Sequence, residues 1–379
     1  MRKGCFLLIV VLAWLAYRVW SQYDRVDENT NLPATHSPPV TLAVVGANHQ
    51  KGNLVGIQPY MVPADYATEE RFYQKLKKYF VYAQHNHLLT PTTVVVLPEH
   101  IGTWLVAAGE KRQVFTAKEV NGALRLAATA NLFSFLPAYA GARAADRSKA
   151  ALFLMKAEQM AAIYSRVFKR LAKEFEVTIA AGSVFLPGPE VAGNTIKVKG
   201  NTLYNAAFLF HPDGRLDSQV VIKQFPITEE LQFCRPGTGA QLPVFATPLG
   251  KLAVVVCADS WYPGVYDRLH AAGAEIMVVP SYASPDGLWA GKWQGYNGAP
   301  MPADVDRADV GNITEEAAWL KYSMGGRAAG TPLTLGINVF LRGDLWDLGD
   351  DGRSIVYTRD TVYTAPRYDG PQITVVWVQ

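Results

Sequence analysis

The sequence predicts an alternating α/β domain whose sheets are covered by helices, preceded by one apolar N-terminal segment. Three observations carry this. Short runs rich in Val, Ile and Leu recur from residue 40 to the C-terminus, and several are apolar at every position, as strands buried on both faces are. Between them lie long stretches with apolar residues at helical spacing. A chain of 379 residues, 49% apolar and 18% charged, is large enough for an extensive core and is excluded from the disordered class.

At the N-terminus, Arg2 and Lys3 precede a run without charge from Gly4 to Tyr17, which Arg18 interrupts before Val19 and Trp20. That length fits a signal-peptide core better than a full span, which needs roughly 17 to 25 residues. No A-x-A cleavage site follows. A snorkelling Arg18, with Trp14, Tyr17 and Trp20 at an interface, lets an uncleaved membrane anchor reach Tyr23. A cleaved signal and a buried or interfacial helix are the alternatives. Cys5 lies ahead of the apolar run, so lipoprotein-type processing is not expected. The basic residues before the run place the bulk of the chain outside the cytoplasm, on the periplasmic side, or export it. The segment 1–23 is thus an anchor or signal, the polar and proline-bearing segment 24–39 a linker, and 40–379 one folded domain.

Within that domain, strands are expected at Val40–Val45, Leu54–Gln58, Thr93–Leu97, Val177–Leu186, Tyr204–Phe210 and Val220–Ile222. Further strands are expected at Leu252–Val256, Ile276–Val279, Leu333–Leu341, Ser354–Thr358 and Ile373–Val378. The clearest helices are Thr68–Leu89 and Ser148–Phe175. In the second, Leu152, Met155, Ile163, Phe168, Leu171 and Phe175 form the apolar stripe and Lys156, Arg166, Lys169 and Lys173 the wet side. No internal repeat appears.

Composition gives no argument for several functions. A net charge of +3 is too small for a nucleic-acid or polybasic membrane partner. Three cysteines, Cys5, Cys234 and Cys257, make no disulfide framework and have no zinc spacing, so a cysteine that matters here acts singly.

Three polar residues stand just past apolar strands, where a sheet delivers side chains to a site at its edge: Glu99, Lys223 and Cys257. Together they are a set for nucleophilic catalysis. The carboxylate can deprotonate the thiol, and the ammonium can stabilise a thiolate or an oxyanion.

The motifs VVVLPEH around Glu99, SQVVIKQFPITEE around Lys223 and GKLAVVVCADSWYP around Cys257 resemble, in order, the three catalytic motifs of the nitrilase superfamily of carbon–nitrogen hydrolases. Their spacings of 124 and 34 residues are of the family's kind, and Asn53–Pro59, Tyr204–Gly214, Ala272–Ser284 and Leu333–Ser354 resemble its flanking strands. The resemblance covers about residues 40–379. It implies a four-layer αββα sandwich that pairs into a homodimer or higher homo-oligomer. It implies that Cys257 attacks a carbonyl or nitrile carbon, that Glu99 serves as base and then acid, and that Lys223 with the backbone N–H of Ala258 holds the oxyanion. A thioester forms and is hydrolysed. The family's second glutamate matches Glu230, with Glu229 as the alternative. The implied reaction is hydrolysis of a non-peptide C–N bond in a small amide, or less readily a nitrile, without metal or other cofactor. The alternative is N-acyl transfer of the apolipoprotein N-acyltransferase type, whose multi-helix membrane domain this chain does not match.

Two departures bear on substrate. Ala258 stands where the family commonly has a bulky aromatic, which leaves room beside the nucleophile. The segment after Glu99 is long and includes an Ala-rich stretch, 123–151, that forms either a lid or rim or an enlarged helical layer. Trp289, Trp293, Tyr296 and Trp319 fit either the pocket or the core. Gly287–Trp293 imitates a phosphate loop but lacks its Ser/Thr, Gly237-Thr-Gly239 has no third glycine, and His85 and His87 have no neighbouring ligands. The sequon at Asn312 is at chance level.

Overall fold

The computed structural model describes residues 2–32, 37–239 and 242–379, with side chains from Phe6 onward. In chain order its main elements begin with α1 (Arg2–Gln22), β1 (Thr41–Val45), β2 (Asn53–Gln58), α2 (Glu69–His85), β3 (Val94–Val96), α3 (Val120–Ala130), α4 (Leu132–Gly141) and α5 (Arg147–Phe175). They continue with β4 (Thr178–Pro187), β5 (Leu203–Phe210), β6 (Val221–Ile222), β7 (Val244–Thr247), β8 (Gly250–Val254), α6 (Pro263–Ala271) and β9 (Ile276–Ser281). Last come α7 (Glu315–Tyr322), β10 (Leu335–Phe340), β11 (Ile355–Thr358), β12 (Val362–Thr364) and β13 (Gln372–Trp377).

The two helices expected from periodicity have local causes for their ends. Thr68 caps α2 by accepting the Arg71 N–H at 3.3 Å, and Glu69 and Glu70 meet the positive end of the helix. The helix stops before the expected Leu89 because His87 turns left-handed, at φ 56°. Asp146 caps α5 by accepting the Lys149 N–H at 2.9 Å, and Glu176 ends it at φ 53°. The Ala-rich segment forms α3, α4 and the start of α5.

The larger sheet has the order β1-β13-β2-β3-β4-β5-β6 and the smaller one β7-β8-β9-β10-β11-β12. Strands β2, β3 and β4 run parallel, as do β8, β9 and β10. The first strand, β1, lies parallel to the last, β13. Side chains alternate across the larger sheet. Val55, Ile57, Val95 and Ile179 pack with Phe72, Phe80 and Phe168 of α2 and α5, while Leu54, Val94, Val96 and Ala180 join the core shared with the smaller sheet. The sheets approach closely at Gly56, where a Cβ would lie 2.6 Å from Ile337 Cδ1. On the far side of β10, a Cβ on Gly336 would lie 2.6 Å from Met324 Sδ, on the helical turn that follows α7. The layers therefore run helix, sheet, sheet, helix.

The expected membrane-spanning helix is not supported, since no helix among the described residues is long and apolar enough to cross a membrane. The reason lies in α1 itself, whose run without charge is short and is closed by Arg18. The side chain of Cys5 lies outside the described residues. The apolar side chains of α1 are exposed, Phe6 by 70% and Trp14 by 48%, and its end is tied to the domain. Lys111 Nζ donates to Trp20 O at 2.6 Å and also to Tyr23 O, and Tyr17 Oη donates to Thr129 O at 3.1 Å. Of the segment read as a linker, residues 33–36 lie outside the described residues. Residues 24–32 lie against the domain, with Val26 and Leu32 buried and Arg25 paired to Glu110 at 3.3 Å.

Candidate active site

Strand ends deliver the three predicted residues to one place. Glu99 follows β3, whose pairing with β4 is prolonged by Leu97 N–H on Ala180 O at 2.9 Å. Lys223 follows β6 and fixes its own N–H on Asn205 O of β5 at 2.9 Å. Cys257 follows β8 and opens a 3₁₀ turn, Cys257–Trp261, at φ 49°. A non-glycine residue in that region is uncommon and points towards function. A bulge in β4 steadies the loop after Glu99. Gly182 there has φ 70°, a Cβ on it would collide with Pro98 O, and Ser183 Oγ accepts the His100 N–H at 3.0 Å.

Lys223 Nζ lies 2.8 Å from Glu99 Oε1 and 2.5 Å from Glu230 Oε2. The amide of Asn205 donates to the same two carboxylates, at 2.9 and 2.8 Å. Glu230 also accepts the Ile227 N–H at 2.9 Å. Of the two candidate glutamates, Glu230 is the buried one beside Lys223. Glu229 is exposed and receives the Asn297 amide at 3.0 Å. Cys257 Sγ lies 3.8 Å from Tyr282 O.

Electrostatics follow from this geometry. Burial pushes the Cys257 thiol well up, and the Glu99 carboxylate beside it adds to the shift. Burial alone would also raise Glu99, but the Lys223 ammonium outweighs it and holds the carboxyl below the ordinary glutamate value. Burial works against the Lys223 ammonium, and the Glu230 and Glu99 carboxylates overturn that and hold it well above the ordinary lysine value. Burial lowers His100, which lies 4.0 Å from Glu99 Oε1.

Glu99, Lys223, Glu230, Cys257 and Ala258 line one cavity of about 710 Å³. Trp293, Tyr296 and Trp319 line it as well, as the sequence allowed, whereas Trp289 packs against Phe340 in the core at 5.3 Å. Val120, Asn121 and Leu124 of α3 contribute to the wall, and of the Ala-rich stretch 123–151 Leu124 and Lys149 are among the lining residues. Buried Cys234 is not among the lining residues. Glu99, His100 and Glu230 each offer a ligand atom within 4.8 Å of the others, but the Lys223 ammonium already sits between the two carboxylates, where a metal ion would bind.

Asn205 and Asp259 lie inside the motifs that carry the resemblance, and Asp259 fits the family's pattern, but the sequence alone gives neither a role. Asp259 accepts the N–H groups of Gln224 (3.0 Å) and Phe225 (2.7 Å), which joins the Cys257 turn to the Lys223 strand end. Burial pushes its carboxyl up to about 7, against the pull of those two bonds. The available signal was an amide and an acid within otherwise apolar or catalytic stretches.

The family model described as carbon–nitrogen hydrolase matches residues 41–297. Among curated proteins, the chain is 30% identical to nitrilase 1 of Arabidopsis thaliana over 115 residues, which is 27% of this chain and 33% of that protein. It is 31% identical over 123 residues to a bifunctional nitrilase/nitrile hydratase of Lupinus angustifolius, 29% of this chain and 35% of that one. The match thus spans about a third of the length of these relatives. Among solved structures, an amidase of the nitrilase superfamily from Nesterenkonia AN1 superposes with a TM-score of 0.54 at 16% identity, over 90% of this chain and 92% of that one. Another structure of that amidase, with acrylamide added to its active-site cysteine, gives a TM-score of 0.52 at 14% identity over 86% and 93%.

Proposed function

The chain belongs to the carbon–nitrogen hydrolase family of the nitrilase superfamily, and from that premise we propose that it hydrolyses a small non-peptide amide through a thioester on Cys257. The observation that carries this is the Lys223 ammonium held between Glu99 and Glu230 in the cavity that also contains the thiol. A raised thiol does not ionise ahead of substrate. Glu99, kept ionised by Lys223, takes the thiol proton as sulfur attacks the carbonyl carbon, and the pocket's net charge is unchanged by that transfer. Lys223 and the Ala258 N–H then meet the oxyanion. Glu99 passes the proton to the departing amine, and water activated by Glu99 cleaves the thioester. Glu230 and Asn205 position Lys223 and Glu99. The relatives support amide or nitrile chemistry, and they do not favour the acyl-transfer alternative. In a mutant of the Nesterenkonia amidase, the active-site cysteine carries the acetamide moiety of fluoroacetamide.

The test is acid-quench intact-mass analysis during turnover of an amide panel. An acyl increment that maps to Cys257, and that is lost in Cys257→Ala, is expected. Undiminished turnover in Cys257→Ala would sink the mechanism.

The domain is further read as held at a membrane surface outside the cytoplasm, or exported, and as self-associating. The support is an apolar surface shared by two helices. None of the residues of α4 is buried, and Phe133 (54% exposed) meets Tyr17 of α1 ring to ring at 5.3 Å. No acidic residue occurs in the first 23 positions or between Val120 and Ala145, while Arg18, Arg125 and Arg143 are exposed, a pattern suited to anionic headgroups. Vesicle flotation and sedimentation velocity test the two statements separately.

A further inference from the structure

One acidic side chain of the cavity has no part in the chemistry above. Glu315 opens α7 and lines the same cavity as Cys257. Its neighbours are satisfied: Glu316 pairs with Arg353 at 2.5 Å, and Glu229 receives Asn297. Glu315 forms no ion pair among the described residues. Burial pushes its carboxyl up to about 7, with the Trp319 indole N–H as a partial counterweight. The carboxyl is half-buried, and the helix N-terminus offsets part of the cost of its desolvation. A bound cation would offset the rest.

The surrounding wall is aromatic. Trp261 packs on Trp293 at 5.9 Å and on Trp319 at 4.8 Å, and Tyr296 meets Trp293 at 5.9 Å. All four rings line the cavity. Aromatic faces attract cations, and a carboxylate adds direction to that attraction. Apart from the buried Glu99–Lys223–Glu230 group, the charged carboxylate and ammonium groups of the lining are Glu229, Glu315 and Asp347 against Lys149 alone, so the field favours a positive guest.

We propose that Glu315 and the Trp261–Trp293–Trp319 wall form a subsite for a primary ammonium group, so that the amide cleaved at Cys257 belongs to a chain with a positive charge at its far end. This rests on the reading of Cys257 as nucleophile. The subsite itself can be tested without turnover.

The kinetic test compares ω-amino primary amides of two to five methylenes with uncharged alkyl amides of equal length. In the native chain, kcat/KM favours the charged member of a matched pair by roughly ten- to a hundredfold. Glu315→Gln brings that ratio close to one and Glu315→Asp restores part of it. A ratio near one in the native chain, or one that survives Glu315→Gln, overturns the proposal. The binding test follows tryptophan fluorescence during titration with n-pentylammonium chloride or n-pentanol. A saturable response to the ammonium alone, lost in Glu315→Gln, is expected, and its absence overturns the subsite. If the ammonium binds as described while neither amide series is hydrolysed, the subsite stands and the nucleophile reading falls.

Discussion

Asp259 Oδ1 accepts the backbone N–H of Phe225 at 2.7 Å, two residues beyond Lys223 on one side and two beyond Cys257 on the other. This contact ties the strand end that carries Lys223 to the turn that carries Cys257. Asp259→Ala leaves the N–H groups of Gln224 and Phe225 without their acceptor, and the expected cost is about 2–4 kcal/mol. Calorimetry should show a lower Tm, and kcat should fall more than KM changes. An unchanged kcat in a destabilised variant would reduce Asp259 to a structural part.

Replacing Lys223 by Ala brings Glu99 and Glu230 together without the cation between them. One carboxyl then stays protonated, so the proposed base and the proposed oxyanion donor are both impaired. A fall in kcat of about 10²–10³ is expected, the typical loss for one oxyanion donor, and Lys223→Arg does not rescue it because a planar guanidinium does not replace a compact ammonium. Steady-state kinetics with any amide that is turned over decides the matter.

The pH profile follows from the directions of the shifts. Glu99 is held below the ordinary glutamate value, so its carboxylate and the stability it contributes are present above the unfolded-state value and are lost as pH falls through the lower folded-state value. Lys223 is held well above the ordinary lysine value, so its contribution is complete below that ordinary value and fades only as pH rises through the folded-state value. The acid limb of kcat/KM should therefore lie below the usual glutamate range in native protein. It should move upward in Lys223→Ala if residual rate permits its measurement.

Gly182→Ala tests the bulge that seats the Glu99 loop. The left-handed backbone and the collision with Pro98 O act together, and the expected loss of stability exceeds about 1–3 kcal/mol. Urea unfolding measures it. A neutral result would mean that the loop after Glu99 relaxes freely.

Phe133→Asp with Leu136→Asp places two charges on the exposed side of α4 without touching the cavity. Flotation with vesicles containing anionic lipid should drop sharply while amide turnover persists. Undiminished flotation would leave α1 as the sole contact or remove the lipid reading of α4.

What the sequence made legible was governed by local pattern. Fully apolar runs identified β3, β8 and β9, and the polar residues that end them identified Glu99 and Cys257, because a strand end is defined by its own residues. Helix α5 was equally plain from its 3.6-residue stripe, except that Lys156, read on the wet side, is buried against Ala108 O and Glu110. Short β7 and β12 were missed because their few residues are held by partners distant in sequence. For the same reason Asn205 was not recognised as a bridge between Glu99 and Glu230, since its partners lie 106 and 25 residues away. The N-terminal span is not supported because its run without charge is short and closed by Arg18, which the sequence itself shows, whereas the ties of its end to Lys111 are read only in three dimensions.

Strand β13 lies between β1 and β2 in the larger sheet, so the last strand of the chain is inserted between the first two. During synthesis, the two N-terminal strands must wait with unpaired edges until residues 372–377 have emerged, which exposes them to wrong partners for most of translation. Loss of residues 372–377 would leave β1 without the strand it pairs with and the adjoining edge of β2 bare, an open template for another chain.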